Sequence, residues 1–351
     1  MRVATTPEVV KSLVGKGLQV LVEKGAGEAA HYHDDAYAEA GATLADTAAV
    51  FACDLVAKVR KPSAEEVAMM ADGAVFIGQM ESCGEDEIAA AMHAKGITVI
   101  ALERVPRISR AQSMDVLSSQ ANIAGYRAVI EAANHFGRFI PLMMTSAGSA
   151  KPARVVILGV GVAGLQAIAT ARRLGGDVYA YDIRPETKEQ IESLGAKAIE
   201  LDIGESGSGE GGYAKELSEE GKAKQQQMLA DELAKAHVII TTAQIPCRPA
   251  PQLVSPDVVE RLREGSVIVD MAAGSGGNCP LSEPNQVVNR HGVLIVGHTN
   301  YPAMMPTDAS AFYAKNIANL LGIMLDAGED GPLLKDLDED EITAAAQMKA
   351  E

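Results

Sequence analysis

Tryptophan is absent, and only 8 tyrosines and 5 phenylalanines stand among 351 residues. Positive charge is short as well: 31 Lys and Arg face 47 Asp and Glu, a formal net charge of −16. Such a chain is repelled by the phosphates of nucleic acid and of anionic lipid, which argues against both as direct partners. No apolar run approaches the roughly 18 residues that a membrane-crossing helix needs. The first residues, MRVATTPEVVKSL, lack the apolar core and cleavage signature of a secretory leader. Cys53, Cys83, Cys247 and Cys279 lie far apart with no CxxC pair, which reads as reduced thiols of a cytoplasmic protein rather than a disulfide frame.

What the chain has in quantity is apolar and small: 47% hydrophobic residues and 33 glycines, enough for packed cores in a length that suggests two domains. From Gly17, β-like runs LQVLVE (18–23), DLVAKV (54–59), AVFIGQM (74–80) and ITVIAL (97–102) alternate with amphipathic stretches such as EDEIAAAMHAKG (85–96). A second series follows: RVVILG (154–159), DVYAYD (177–182), HVIITT (237–242), SVIVDM (266–271) and VLIVG (293–297). This alternation predicts an α/β fold with parallel sheets covered on both faces.

Residues 111–139 run without proline at an apolar spacing near 3.6, which predicts a helix of roughly 40 Å, long enough to link two domains. Residues 309–325 predict an amphipathic helix, and DAGEDGPLLKDLDEDE (326–341) a solvated acidic end. Residues 203–236 open with a Gly/Ser-rich run far longer than a usual connection. They form either a disordered insertion or a mobile lid carrying Tyr213.

The segment VVILGVGVAGLQAIATARRLG (155–175) holds Gly159-x-Gly161-x-x-Gly164, with Val160, Val162 and Ala163 between the glycines. An apolar strand precedes it, a helix follows, and Asp182 stands 18 residues after the third glycine. In this context the pattern reads as a dinucleotide fingerprint: Gly159 for the tight turn, Gly161 for backbone approach to the pyrophosphate, Gly164 for close helix–strand packing. Asp182 would accept both hydroxyls of the adenosine ribose and repel a 2′-phosphate, which predicts NAD(H) over NADP(H). Arg184 tempers this, since a nearby arginine can accept a phosphate.

Hydride transfer to a carbonyl or imine needs a proton donor, usually His or Lys. His237 begins a strand and His135 lies on a helix, so both read as structural; His298 follows a strand and can enter a cleft; His31-x-His33 reads as surface. The stretch PRISRAQSMDVLSSQ (106–120) is crowded with polar groups ahead of the predicted helix. Ser109-x-x-Gln112 fits a capping box, and Gln112, Asp115 and Ser118 at i, i+3 and i+6 fall broadly on one helix face.

Four stretches together, RISRAQSMDVLSSQ, ILGVGVAGLQAIATARRLG, EGGYAKEL and GGNCPLSEP, resemble the NAD(H)-binding alpha subunit (domain I) of proton-translocating nicotinamide nucleotide transhydrogenase. The resemblance covers almost the whole chain, and this family shares its fold with alanine dehydrogenase. It implies two Rossmann-like doubly wound parallel-sheet domains joined by long helices, with a cleft between them. The first would be residues 1–124 completed by 303–351. The second would be 125–302, with a mobile loop at about 204–220. It implies direct hydride transfer between NADH on this chain and NADP⁺ on a partner subunit, coupled to proton movement through membrane subunits.

By the same resemblance Arg107, Ile108, Ser109, Gln112, Asp115 and Ser118 lie beside the nicotinamide, with Gln112 on its carboxamide and Arg107 paired to Asp115. Gln112 therefore has a capping and a ring-holding reading, and the two can coexist. Asp182, Ile183 and Arg184 fall at the ribose, and Gly212 and Tyr213 in the mobile loop. Gln225 and Gln244 match nucleotide contacts; without the resemblance they read as a solvated helix face and an ordinary loop residue. The expected assembly is a homodimer with NADP(H)-binding beta and transmembrane subunits, peripheral to a bacterial inner membrane.

Departures from alanine dehydrogenase separate the two relatives. Lys58 and Arg2 match its substrate-gripping residues, but Gln79 stands where a histidine is expected and Gly274, Ser275 where a catalytic aspartate is expected. A stand-alone alanine dehydrogenase-like enzyme and a non-catalytic NAD-binding module are the alternatives. The short strand that usually precedes the segment matched by RVATTPEVV is missing from this sequence, and the membrane part is expected on separate polypeptides.

Overall fold

The computed structural model describes residues 1–201, 219–328 and 331–349, without the side chains of 219–222. Gly212 and Tyr213 therefore lie outside the described residues. The chain divides into two compact units, Met1–Gln120 with Pro302–Glu351, and Ala121–Tyr301.

In the first unit the strands Leu55–Arg60, Val75–Gln79 and Thr98–Ala101 pair in parallel. Their alternation sorts side chains by face. Val75, Ile77 and Ile100 meet Tyr313, Ile317, Leu320 and Met324 of the helix Pro306–Met324. Phe76, Val99 and Ala101 point the other way, into Val67, Ala89 and Met92.

The acidic end is not a solvated tail. Leu337, Ile342 and Ala346 are buried in the first core, and Gln347–Met348 adds a fourth, antiparallel strand against Val99 and Ile100. Its charges are paired: Asp340 takes a fork of two hydrogen bonds from Arg110 at 2.7 and 2.8 Å, and Asp338 meets Lys349 at 3.0 Å.

The expected helix over 111–139 is shorter and interrupted. A 3₁₀ turn spans Ser109–Met114, and the α-helix runs from Val116 to His135, with the chain passing from one unit to the other inside it. Continuity fails because the Ser113 carbonyl is occupied from outside: Asn316 and Asn319 both donate to it, at 2.8 and 2.9 Å. Asp115 then caps the new start, accepting from the Ser118 N–H at 2.9 Å and the Ser118 hydroxyl at 2.6 Å. Ser109 caps nothing. The N-cap of the 3₁₀ turn is Ile108, with no side-chain bond, so the capping-box expectation is corrected.

The second unit is a seven-stranded sheet. Lys197–Ala198, Asp177–Tyr181, Arg154–Leu158, Val238–Thr241, Val267–Asp270 and Val293–Val296 run parallel in that order, and Val287–Arg290 closes one edge antiparallel. The chain winds outward from Arg154–Leu158 and returns to add Val238–Thr241 on its other side. That reversal is the switch point outside whose carboxyl ends ligands bind in open α/β sheets. The strands read as unbroken apolar runs because both faces are buried.

Cys53 and Cys279 are free thiols. Cys83 and Cys247 are disulfide-bonded, so the expectation of four reduced thiols is corrected at these two. Separation along the sequence says nothing about separation in space.

His237 opens its strand and is structural. Its Nδ1 accepts the Arg154 N–H at 2.9 Å, and its Nε2 stands 3.3 Å from Arg263 Nη1. Burial, then the cations Arg138, Arg263 and Arg154, hold its pKa below the ordinary value. The folded state therefore binds this proton less readily than the unfolded state. The stability it contributes is present above about pH 6.5 and is lost as pH falls toward the folded value. Between about pH 7.5 and pH 5.5 the melting temperature of the parent should drop further than that of His237→Gln, whose amide oxygen can still accept the Arg154 N–H. Equal drops would remove His237 from the acid sensitivity.

Candidate functional site

At the switch point the sequence turns sharply from strand Arg154–Leu158 into helix Val162–Arg173. Gly159 has φ +91°, and a Cβ there would lie 2.7 Å from the Thr242 hydroxyl. A Cβ on Gly164 would fall 2.0 Å from the Gly159 carbonyl oxygen, so the turn closes only around hydrogen. Gly161 faces open space and is the N-cap, with no side chain bonding the first N–H groups of the helix. A helix start left open in this way suits an anion such as a pyrophosphate. Behind it, the Ala163 carbonyl oxygen sits where a Cβ on Gly125 would come within 2.1 Å, which seats helix Val116–His135 directly on the turn.

The next strand delivers Asp182 to the same place. Its carboxylate accepts the Val160 N–H at 2.7 Å and the Arg184 N–H at 2.9 Å. The Arg184 guanidinium adds Nε at 3.0 Å and Nη2 at 3.1 Å, and Nη2 also reaches the Val160 carbonyl at 3.3 Å. Burial alone would raise the Asp182 pKa; the hydrogen bonds from Arg184 and Val160 outweigh it and hold the acid below its usual range. Gln225 hydrogen-bonds the hydroxyl of Tyr181, one residue upstream of Asp182. Gln244 is exposed and donates its amide to the Met271 carbonyl at 2.9 Å.

Three features here escape sequence reading. Thr242 props the turn, donating to the Gly159 carbonyl at 3.0 Å. Val162, Ile183 and Ile245 remain 40%, 77% and 46% exposed, one beyond the carboxyl end of each of three adjacent strands. They give a polar site an apolar rim that a flat ring can pack on. Asp270 is fully buried and accepts five hydrogen bonds: from the N–H groups of Ala272, Asn278 and Cys279 and the hydroxyls of Thr241 and Ser282, at 2.7 to 3.2 Å. It ties down the following Gly-rich loop, where a Cβ on Gly277 would come within 2.9 Å of the carboxylate.

In the first unit, Arg107, Ser109 and Gln112 are exposed on or beside the 3₁₀ turn, while Ile108 packs partly buried against the core. Arg107 does not pair with Asp115, contrary to expectation, because Ser118 takes both oxygens of that carboxylate.

The sequence matches the profile "Alanine dehydrogenase/PNT, N-terminal domain" over residues 1–124 and "Alanine dehydrogenase/PNT, C-terminal domain" over 128–349. The chain belongs to the alanine dehydrogenase/PNT family. Among similar proteins, the first of the polypeptides that make up NAD(P) transhydrogenase subunit alpha in Rhodospirillum rubrum is 52% identical over 329 residues, 91% of this chain and 86% of that protein. The alanine dehydrogenase of Bacillus subtilis is 30% identical over 336 residues, 91% of this chain and 82% of that one. Of solved structures, transhydrogenase from Sinorhizobium meliloti superposes with a TM-score of 0.88 at 44% identity, over 99% of this chain and 94% of the other. An L-alanine dehydrogenase does so with 0.81 at 27%, over 99% and 91%.

As an alanine dehydrogenase/PNT chain it has relatives on both branches, so the positions where the branches differ matter. Lys58 is ion-paired to Glu66, and Arg2 donates to Gln120 at 2.7 Å. Gln79 ends its strand buried. A Cβ on Gly274 would already stand 3.2 Å from the Thr299 methyl, leaving an acidic side chain no room without a shift.

Proposed function

We propose that this chain is the NAD(H)-binding subunit of a proton-translocating NAD(P) transhydrogenase. It would transfer a hydride directly between NADH held by the second unit and NADP⁺ held on a partner beta subunit, with transmembrane subunits coupling the transfer to proton translocation. The observation that carries this reading is the position of Gly274 against Thr299, together with Gln79: where an amino-acid dehydrogenase would place acid–base groups, this chain has none. A hydride passing between two nicotinamides carries no proton, so orientation suffices and general acid–base catalysis is dispensable.

Several features support the assignment of roles. The Gly159–Gly164 turn and Asp182 suit NADH rather than NADPH, with Ile183, Arg184, Gln225 and Gln244 around the nucleotide. Arg107, Ile108, Ser109, Gln112, Asp115 and Ser118 hold the nicotinamide end; Gly212 and Tyr213 contribute from the loop. Bound there, the nucleotide supplies the hydride, and the chain's role is to fix its orientation and exclude water. Phe139, Leu142, Met143 and Met144, between 37% and 77% exposed around the hairpin Met143–Ala150, favour a homodimer through that surface. Among the described residues no helix is long and apolar enough to cross a membrane. A cytoplasmic place, peripheral to the membrane through its partners, fits that.

The test is to mix the purified chain with an NADP(H)-binding transhydrogenase domain and NADH and to follow reduction of an NADP⁺ analogue. No transfer with intact NADH binding would sink the proposal in favour of a binding module. Turnover of pyruvate and ammonia by the chain alone would turn the reading to an alanine dehydrogenase.

A further inference from the structure

The Asp182 carboxylate has about four lone-pair directions to offer, and this chain fills all of them itself. Oδ1 accepts the Arg184 N–H and Nε, and Oδ2 accepts the Val160 N–H and Arg184 Nη2. Two of these donors are backbone groups fixed by the strand end and the turn. The other two belong to one guanidinium. Asp182 is 8% exposed and anchored, whereas the Arg184 side chain is 51% exposed, so the cation is the partner free to leave. A ribose diol needs two places on this carboxylate, and only those held by the guanidinium can be vacated.

We propose that Arg184 sets the choice between dinucleotides at this site: seated on Asp182 it is a displaceable stand-in for the ribose diol of NAD(H), and released from Asp182 it becomes the binding group for a 2′-phosphate. The proposal rests on reading the Gly159–Gly164 turn as a dinucleotide site. Its first half follows from counting donors on a carboxylate. Its second follows from guanidinium chemistry, since the fork that holds two carboxylate oxygens also fits two phosphate oxygens. In the native chain the two halves oppose each other. A 2′-phosphate would have to approach an ionised Asp182 to reach an arginine that Asp182 already holds, so NADPH is refused both by repulsion and by capture of its cation. The contact from Arg184 Nη2 to the Val160 carbonyl draws the guanidinium further over the turn, across the approach to the carboxylate.

The test compares dissociation constants for NADH and NADPH, by nucleotide fluorescence and by displacement, in the full-length chain and in Asp182→Asn, Arg184→Gln and the double variant. An exposed ion pair is weak, so Arg184→Gln should bind NADH about threefold tighter than the parent while gaining nothing with NADPH. Asp182→Asn should lose about tenfold in NADH affinity and gain about tenfold in NADPH affinity. In the double variant the NADPH gain should vanish. Weaker NADH binding by Arg184→Gln would overturn the stand-in role, and an NADPH gain that survives in the double variant would overturn the phosphate role. If Asp182→Asn proves unstable on melting, the Arg184→Gln arm still decides the first half, and Asp182→Ser, which retains a small acceptor without charge, decides the second. A parent chain that binds neither nucleotide would overturn the dinucleotide reading itself, whereas normal NADH binding with the wrong variant pattern overturns only this proposal.

Discussion

Gln112→Asn should slow hydride transfer to a partner-held NADP⁺ analogue by about a hundredfold while changing the NADH dissociation constant less than about threefold. The substitution keeps the amide and withdraws it by one C–C bond, about 1.5 Å. Displacements of that order cost about a hundredfold when catalysis consists of orientation. The rival explanation, that Gln112 merely starts a helix, loses its support in the fold. Gln112 is exposed in the 3₁₀ turn Ser109–Met114, whose N-cap has no side-chain bond, and the α-helix begins later under the cap of Asp115. A structural defect would therefore not be expected to mimic the kinetic one. Rapid-mixing rates and equilibrium binding on the same preparation separate the cases: parallel losses in both would make Gln112 an ordinary binding residue.

Asp270→Ala should lower the melting temperature of the second unit by roughly 8–16 °C, from a destabilisation of about 4 kcal/mol. The carboxylate is fully buried, and five donors converge on it. Truncation leaves three backbone N–H groups and two hydroxyls facing a void. Each buried donor left unpaired costs about 1–3 kcal/mol, partly offset by water entering the space. Asparagine does not rescue the site, because its NH₂ adds a donor to a nest made of donors. Calorimetry of parent and variant checks this, and a shift of less than about 3 °C would mean that the loop is held by other means.

These two residues also mark what can be read in advance. The parallel strands are legible because strands buried on both faces are unbroken apolar runs, and the three glycines because a turn that tight admits nothing else. The acidic end misleads because its few apolar residues, Leu337, Ile342 and Ala346, are spaced among carboxylates whose cations, Arg110 among them, lie far away in sequence. The start of the long helix is hidden for the same kind of reason. Ser113 looks like any helical residue until Asn316 and Asn319 take its carbonyl. The expected Arg107–Asp115 pair loses to a nearer competitor, since Ser118 satisfies Asp115 at three residues' distance. Asp270 reads as one more acid at a strand end, and nothing local tells that five donors close on it.

Because the first unit is completed by Pro302–Glu351, the order of synthesis and the order of folding run in opposite directions. All of Ala121–Tyr301 leaves the ribosome before the helix Pro306–Met324 that covers Val75, Ile77 and Ile100 has been made. At about 5–20 residues per second the nascent chain carries that uncovered sheet face for roughly 10–40 s. The unit encoded second is then the first able to finish, and the earliest strands spend their youth as a client for whatever shields apolar surface at the tunnel exit.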